Sequence, residues 1–396
     1  MKNKRILLVR DRDFFLYVHQ LAVLLTQAGH EVDVLYTYSG SIEPLYADLL
    51  KQTQQTGARF HLVEDRSRWL VRRIMSVAYR LRLITKLATI TPCKIRTAKK
   101  YLKPHPTFDY IITFDPPALF LAARIYPGSL SKIIHFSLEV IEETHPQFKN
   151  GRITKALRLY ERRCLMQVGA LMIQDRFRER VLKAKVPREC ATPTIYYPVA
   201  LPGGAHTRSP QKLVTWQQSF ASRQVILFFG GLWSAELIEG LSRCSKSLGE
   251  NQVIVVHGGR GCIRKFPSTT EQFIVSTEPI PFDSINDLIA SAHIGLALYP
   301  DGDLNSKYTA FSSEKIARYT QCGIPFIAFN NEDYRHLKQL FNCCELVDSY
   351  DEIPSAAQRI FDSYSEYTGN AKAAFPHFYS LENTSKNLLE FVSAKS

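Results

Sequence analysis

The sequence predicts an α/β protein built from two doubly wound, Rossmann-like units that face each other across a cleft. Three observations lead there. Short, nearly continuous apolar runs alternate with amphipathic stretches from one end to the other, as parallel strands covered on both faces require. A segment rich in Pro and Gly, from Pro198 through Gly203 and Gly204 to Pro210, interrupts that alternation halfway. A length of 396 residues also exceeds one ordinary compact domain and suits two.

In the first half the strand candidates are Arg5–Val9, Glu31–Tyr36, Tyr110–Phe114, Lys132–Phe136 and Ala170–Ile173. Between the first two, Phe14–Ala28 has helical spacing, and Gly29 stands where a helix-terminating glycine belongs. The second half repeats the plan with strands at Val225–Phe229, Gln252–Val256, Phe273–Val275, Gly295–Leu298 and Pro325–Ala328. Helices fit Ser234–Leu248, Ser284–Ala292, Ser313–Gln321 and Pro354–Tyr364. The units are expected at 1–200 and 205–370, with a C-terminal helix, 373–396, packing back on the first. Ligands of open α/β sheets bind outside the C-terminal strand ends, so the expected site is the cleft.

Composition narrows the classes. No run of eighteen apolar residues occurs, and the apolar run Ile6–Val9 is too short for a signal peptide, so it reads as a first strand. The eight cysteines contain no C-x-x-C pair, which argues against a zinc site or a disulfide framework and fits a reducing cytoplasm. Charge is unevenly spread: residues 1–200 carry 33 Lys and Arg against 17 Asp and Glu, while residues 201–396 carry 17 against 20. The whole positive excess therefore sits in the first half and calls for an anionic partner. No helix-turn-helix, zinc-finger or RNP-type signature accompanies it, so nucleic acid is not that partner.

Three segments carry chemistry. In Phe229-Gly230-Gly231-Leu232, directly after a strand, two glycines let the backbone turn tightly and approach a phosphate. His257-Gly258-Gly259-Arg260-Gly261, after the next strand, suits a loop around a nucleotide, although it is neither a dinucleotide fingerprint nor a P-loop. In Ser312-Ser313-Glu314-Lys315, serines cap a helix and a lysine occupies its first turn. A cation there opposes the helix dipole unless an anion sits nearby, so the pattern points to phosphate. Each of these also has a plain reading as a strand–helix turn or an ordinary cap.

These segments, in their order, resemble GT-B glycosyltransferases, particularly the large retaining group called family four. Ser313-Glu314-Lys315 with Tyr319 and Gly323-Ile324-Pro325 is similar to that group's donor-site helix. Phe228-Phe229-Gly230-Gly231 and Ile254 through Gly259 are similar to its first C-domain strand and nucleotide loop. Pro279-Ile280-Pro281-Phe282-Asp283 resembles its turn beside the base, Ala292-His293-Ile294-Gly295-Leu296 the strand that follows, and Gly29-His30-Glu31-Val32 its approach to strand two. The resemblance implies a nucleotide-diphosphate sugar as substrate, no separate cofactor and no metal. It also implies a retained hexosyl transfer, and the basic first half makes a lipid-linked or cell-envelope glycan the expected acceptor. Donor contacts would come from Gly230, Gly231, Gly258, Gly259, Arg260, Pro281, Phe282, Ser312, Ser313 and Lys315. Two departures stand out: the group's paired glutamates fall here on Ala310 and Arg318, and no Lys or Arg follows Gly231 closely.

For the reacting centre, the candidates at first-unit strand ends are His135, Glu139 and Asp13. The resemblance implies a histidine near His135 that touches the transferred sugar; Glu139 or Asp13 would supply the base that an inverting transfer needs. Finally, 66–103 holds twelve Lys and Arg and no acid. On a helix from Arg68 to Thr89, an apolar stripe faces the core, while Arg68, Arg72, Arg73, Arg80, Arg82 and Lys86 lie opposite with aromatics among them. That face suits an anionic membrane surface, giving a cytoplasmic protein peripheral to the inner face of the cell membrane. Competing readings are a solvated helix face for the basic segment, a sugar-nucleotide epimerase, and a relative that binds a sugar nucleotide or glycan without turnover.

Overall fold

A computed structural model describes residues 3–11, 16–38, 44–64, 92–102, 107–141, 143, 152–186, 189–206, 222–232, 234–258, 267–278, 280–281, 284–299 and 304–394. The chain divides into two units: 1–197 together with 385–396, and 198–384.

The first unit runs β1 (Arg5–Asp11), α1 (Leu16–Gln27), β2 (Glu31–Tyr38), α2 (Pro44–Gln55), β3 (Arg59–Glu64), α3 (Pro92–Leu102), β4 (Tyr110–Phe114), α4 (Asp115–Ile125), β5 (Ile133–Phe136), α5 (Arg152–Cys164), β6 (Ala170–Ile173), α6 (Arg176–Lys183) and β7 (Thr194–Tyr196). Its seven strands are all parallel, in the order β3-β2-β1-β4-β5-β6-β7. The central strands are buried along most of their length, which is why they read as unbroken apolar runs. Gly29 takes φ 88°, the left-handed value that ends α1 and that costs a glycine nothing.

β3 alternates polar and apolar residues instead. Its Arg59 and His61 reach across to Asp33 on β2, at 3.0 and 2.8 Å, and Arg5 joins from β1 at 3.3 Å. Burial would raise the Asp33 carboxyl, but His61 and Arg59 outweigh it and hold that group well below the usual carboxylate range. A charged latch thus fastens the edge strand.

The second unit runs β8 (Gln224–Phe229), α7 (Ala235–Cys244), β9 (Gln252–His257), β10 (Phe273–Ser276), α8 (Ile285–Ala290), β11 (Ile294–Ala297), α9 (Leu304–Lys307), α10 (Glu314–Gln321), β12 (Phe326–Phe329), α11 (Glu332–Phe341), β13 (Cys344–Val347), α12 (Ile353–Asp362), α13 (Tyr364–Ala374), a π-helical turn (Phe375–Tyr379) and α14 (Leu381–Thr384). Six parallel strands lie in the order β10-β9-β8-β11-β12-β13. Their core is aliphatic, from Ile226, Leu237, Ile254, Ile294, Ile327 and Ile360 among others.

Two boundaries differ from expectation. Residues 198–206 are docked on the second unit: Val199 donates its N–H to the Phe311 carbonyl at 2.8 Å, and the His206 ring lies 2.9 Å from Asp287. Residues 373–384, expected with the first unit, belong to the second; there Leu201 N–H bonds the Tyr379 carbonyl at 2.8 Å. The helix expected over 373–396 is broken into short pieces, the last break at Ser385. Only its last part, α15 (Lys386–Ala394), joins the first unit, where Phe391 packs against Tyr110 with ring centroids 6.2 Å apart.

Candidate functional site

In the second unit, three strand ends and one helix start converge. β8 runs into Gly230, whose φ of 132° only glycine adopts freely. Gly230 N–H donates to the His257 carbonyl at 3.0 Å, and Gly258 N–H donates to the Ser276 carbonyl at 3.1 Å. The turns after β8 and β9 touch so closely that a β-carbon on Gly258 would lie 1.7 Å from the Gly230 oxygen. Gly258 has no room for a side chain and Gly230 has a backbone that disfavours one, so both turns stay free of side chains.

Across from Gly230 stands the start of α10. Ser313 is its N-cap: the backbone is extended and Oγ accepts the Ile316 N–H at 3.4 Å. Tyr299, just beyond β11, bonds the same Oγ through its hydroxyl. Lys315 points back over the sheet end, with Nζ 3.7 Å from the centre of the Phe228 ring and 5.0 Å from that of Tyr299. Burial pushes its ammonium down to about 7. Tyr319 follows one turn later and fixes the helix to the sheet, donating to the Leu227 carbonyl at 2.9 Å; Gly295 leaves the space its ring needs. The result is a helix start, a lysine and two glycine turns gathered at the C-terminal edge of a parallel sheet, which together can hold a phosphate group.

Of the donor contacts expected from sequence, Gly230, Gly258, Ser313 and Lys315 are thus brought together. Gly231 is exposed beside them, and Ser312 turns inward, donating to the Tyr308 carbonyl at 3.1 Å. Pro281 is exposed in the turn before α8, where its carbonyl accepts the Ser284 N–H. Gly259, Arg260 and Phe282 lie outside the described residues, as do Asp13 and Arg68, Arg72, Arg73, Arg80, Arg82 and Lys86.

The positions of the absent glutamates have new occupants. Arg318 is buried, donating to Glu314 at 2.8 Å and to Asn286 at 2.7 Å, so its guanidinium ties α10 to α8. Ala310 is fully buried; its N–H goes to Asp333 and its carbonyl accepts the Tyr379 hydroxyl. A separate cavity of about 560 Å³ opens beyond Tyr299, lined also by Glu236, Glu332, Arg335, Asp348 and Tyr350. Its three carboxylates outnumber two cations, Lys307 and Arg335, so its charge favours a diphosphate less than the Lys315 corner does.

In the first unit the structure corrects one candidate. His135 is fully buried: its Nδ1 lies 2.9 Å from the Thr113 hydroxyl and its Nε2 2.9 Å from Glu161. Ser137 and Arg158 bond the same carboxylate. Both ring nitrogens are engaged inside the protein, so His135 holds β5 to α5 and offers nothing to a sugar. Glu139, by contrast, is exposed after β5. The segment that carries it is held by a residue the sequence reading missed. Asp115 accepts the Leu138 and Glu139 N–H groups at 3.1 and 3.4 Å on Oδ1, and Arg10 at 2.8 Å on Oδ2. Its φ of 65° places a non-glycine residue in the left-handed region at the end of β4. An acid directly before two prolines at a strand end was the available signal.

Among the described residues, no group of three or more His, Cys, Asp or Glu is placed to hold a metal, and no helix is long and apolar enough to cross a membrane.

No protein-family model matches the sequence, and no curated protein matches it. Solved structures do match along the whole chain. The Anabaena HepE structure in complex with UDP-glucose is 12% identical, covers 99% of this chain and 100% of its own, and superposes with a TM-score of 0.67. The sucrose-phosphate synthase of Thermosynechococcus elongatus is 14% identical over 100% of both chains, with a TM-score of 0.67. A putative UDP-N-acetylglucosamine 2-epimerase from Listeria monocytogenes is 11% identical over 100% of this chain and 98% of that one, with a TM-score of 0.56. The chain has the GT-B fold.

Proposed function

We propose that this protein is a glycosyltransferase that takes a sugar from a nucleotide-diphosphate donor. The observation that carries the reading is the convergence of Lys315, the Ser313-capped start of α10 and the Gly230 and Gly258 turns. A diphosphate seated there would meet the start of α10 with its dipole and one ammonium, and the side-chain-free turns would let it come close. The sequence resemblance and the GT-B neighbours, one of them holding UDP-glucose, support the same reading. A hexosyl donor and a retained configuration follow the resemblance. Glu139, exposed and braced by Asp115, is our candidate base should the transfer invert.

The acceptor we propose is lipid-linked or a cell-envelope glycan, reached at an anionic membrane through the basic segment 66–103. The support is its one-signed charge, since each Lys or Arg near an anionic leaflet contributes about 1 kcal/mol. Sedimentation with vesicles of anionic and of neutral lipid, at low and high salt, tests this. Charge reversal of Arg72, Arg73, Arg80 and Arg82 is expected to abolish sedimentation, and an unchanged result removes the membrane role.

A second reading, donor binding without turnover, is favoured by Arg318 and Ala310 in the glutamate positions. Donor hydrolysis across a panel of UDP-, GDP-, dTDP- and ADP-sugars separates the two. Calorimetry tests the shared premise: Lys315→Ala is expected to weaken donor affinity about ten- to hundredfold, the loss of one charge-assisted bond, while Lys372→Ala leaves it within twofold. Equal affinities take Lys315 out of the site.

A further inference from the structure

Lys315 sits where an ammonium is poorly served. Its Nζ rests over the Phe228 ring and beside that of Tyr299, and the Gly230 turn lines its other side, where a β-carbon would lie 3.5 Å from Cε. An aromatic face favours a cation, but by less than water or a carboxylate does. The helix start behind it adds a positive end of a dipole, which favours it less still.

Among the described residues, the titratable groups on the elements packed here do not supply the missing negative charge. Glu314, one residue earlier, is bonded to Arg318 at 2.7 Å. His257, at the end of β9, is buried against Phe229 and pushed down to about 4, so it is neutral near pH 7. The hydroxyl of Tyr299 is held by Ser313, and that of Tyr319 by the Leu227 carbonyl.

We infer that Phe228 and Tyr299 are positioning residues that keep Lys315 in an aromatic seat, so that the lysine takes up a proton from solvent as the donor diphosphate arrives. This rests on the donor reading above and adds a linkage to it. The lowering of the Lys315 ammonium by burial agrees with the geometry. The balance is simple: a neutral amine gains one proton from buffer, and the ammonium formed pairs with a phosphate oxygen. Because the complex holds more protons than the empty site, affinity is full at the acid side and falls as pH rises above about 7.

The test is calorimetry with UDP-glucose, followed by GDP-, ADP- and dTDP-glucose. The diphosphate of these probes does not titrate between pH 6.5 and 8.5. Titrations at pH 7.5 in HEPES and in Tris give the proton uptake per site. Wild-type protein is expected to take up roughly half a proton to one, and to bind up to about tenfold more weakly at pH 8.5 than at 7.5. Lys315→Arg, charged throughout this range, is expected to bind with no uptake and a flat pH profile. Tyr299→Phe, which keeps the ring but frees Ser313, is expected to keep the uptake, whereas Tyr299→Leu reduces it. Wild-type binding without uptake, or uptake unchanged in Lys315→Arg, overturns the inference and leaves the donor site standing. No binding of any of the four sugars to wild-type protein overturns the donor reading, and this inference with it.

Discussion

Asp115 grips Arg10 at 2.8 Å from a backbone held at φ 65°, joining the ends of β4 and β1 in the first unit. Its other oxygen takes the N–H groups of Leu138 and Glu139, so one carboxylate ties three strand ends together. Asp115→Asn tolerates the left-handed backbone but loses the charge, and is expected to cost about 1–3 kcal/mol. Asp115→Ala loses local hydrogen bonding as well and is expected to cost roughly 1 kcal/mol more at this φ. Thermal melts of the three proteins check this; coincident curves would dismiss the clasp.

The carboxylate of Glu161 is buried, which alone would raise it. Arg158 and His135 outweigh burial and bring it down to about 2, from an ordinary 4.5. A depressed carboxyl stabilises in full above its unfolded value, so this contribution is lost as pH falls from about 4.5 toward 2. Glu161→Gln, which leaves Arg158 buried beside a neutral group, is expected to cost about 3–5 kcal/mol at pH 7. The gap between wild type and variant should close on acidification. Melting followed from pH 7 to pH 3 reads it directly, and a gap of constant size would mean that folding does not depress the Glu161 carboxyl.

Gly258→Ala forces a β-carbon to within 1.7 Å of the Gly230 carbonyl, so the two turns must separate. Donor affinity is expected to fall at least about tenfold, the loss of one good phosphate contact, with a lower melting temperature. Gly204→Ala meets nothing within 4 Å and serves as the control. Similar donor affinities for the two variants would separate the Gly258 turn from donor binding.

Arg318→Glu introduces the residue that the resembling glycosyltransferases carry at this position, but loses the bonds to Glu314 and Asn286 and sets two acids one helical turn apart. It is expected to destabilise the second unit by about 1–3 kcal/mol and to leave donor affinity no tighter. Tighter binding by the variant would show that Arg318 holds an evolved gap in the donor site rather than a structural tie.

The doubly wound plan was legible from residue order, because strands buried on both faces must be continuously apolar and the helices between them must carry one apolar stripe. Residue order also located Lys315 and the Gly230 and Gly258 turns, since a cap, a first-turn lysine and strand-end glycines are signals confined to a few neighbouring residues. β3, β7 and β13 escaped it for the same reason in reverse. β3 carries the polar residues that bind Asp33, β13 carries Glu345 paired with Lys338 and Arg359, and β7 spans three residues. Tertiary structure alone decided that His135 is enclosed by Thr113 and Glu161, that Asp115 braces Glu139, and that Phe228 and Tyr299 seat Lys315. Each of those contacts joins residues far apart in the chain. Periodicity reports which way a side chain faces, whereas the group it meets depends on which strands and helices the sheet order sets side by side.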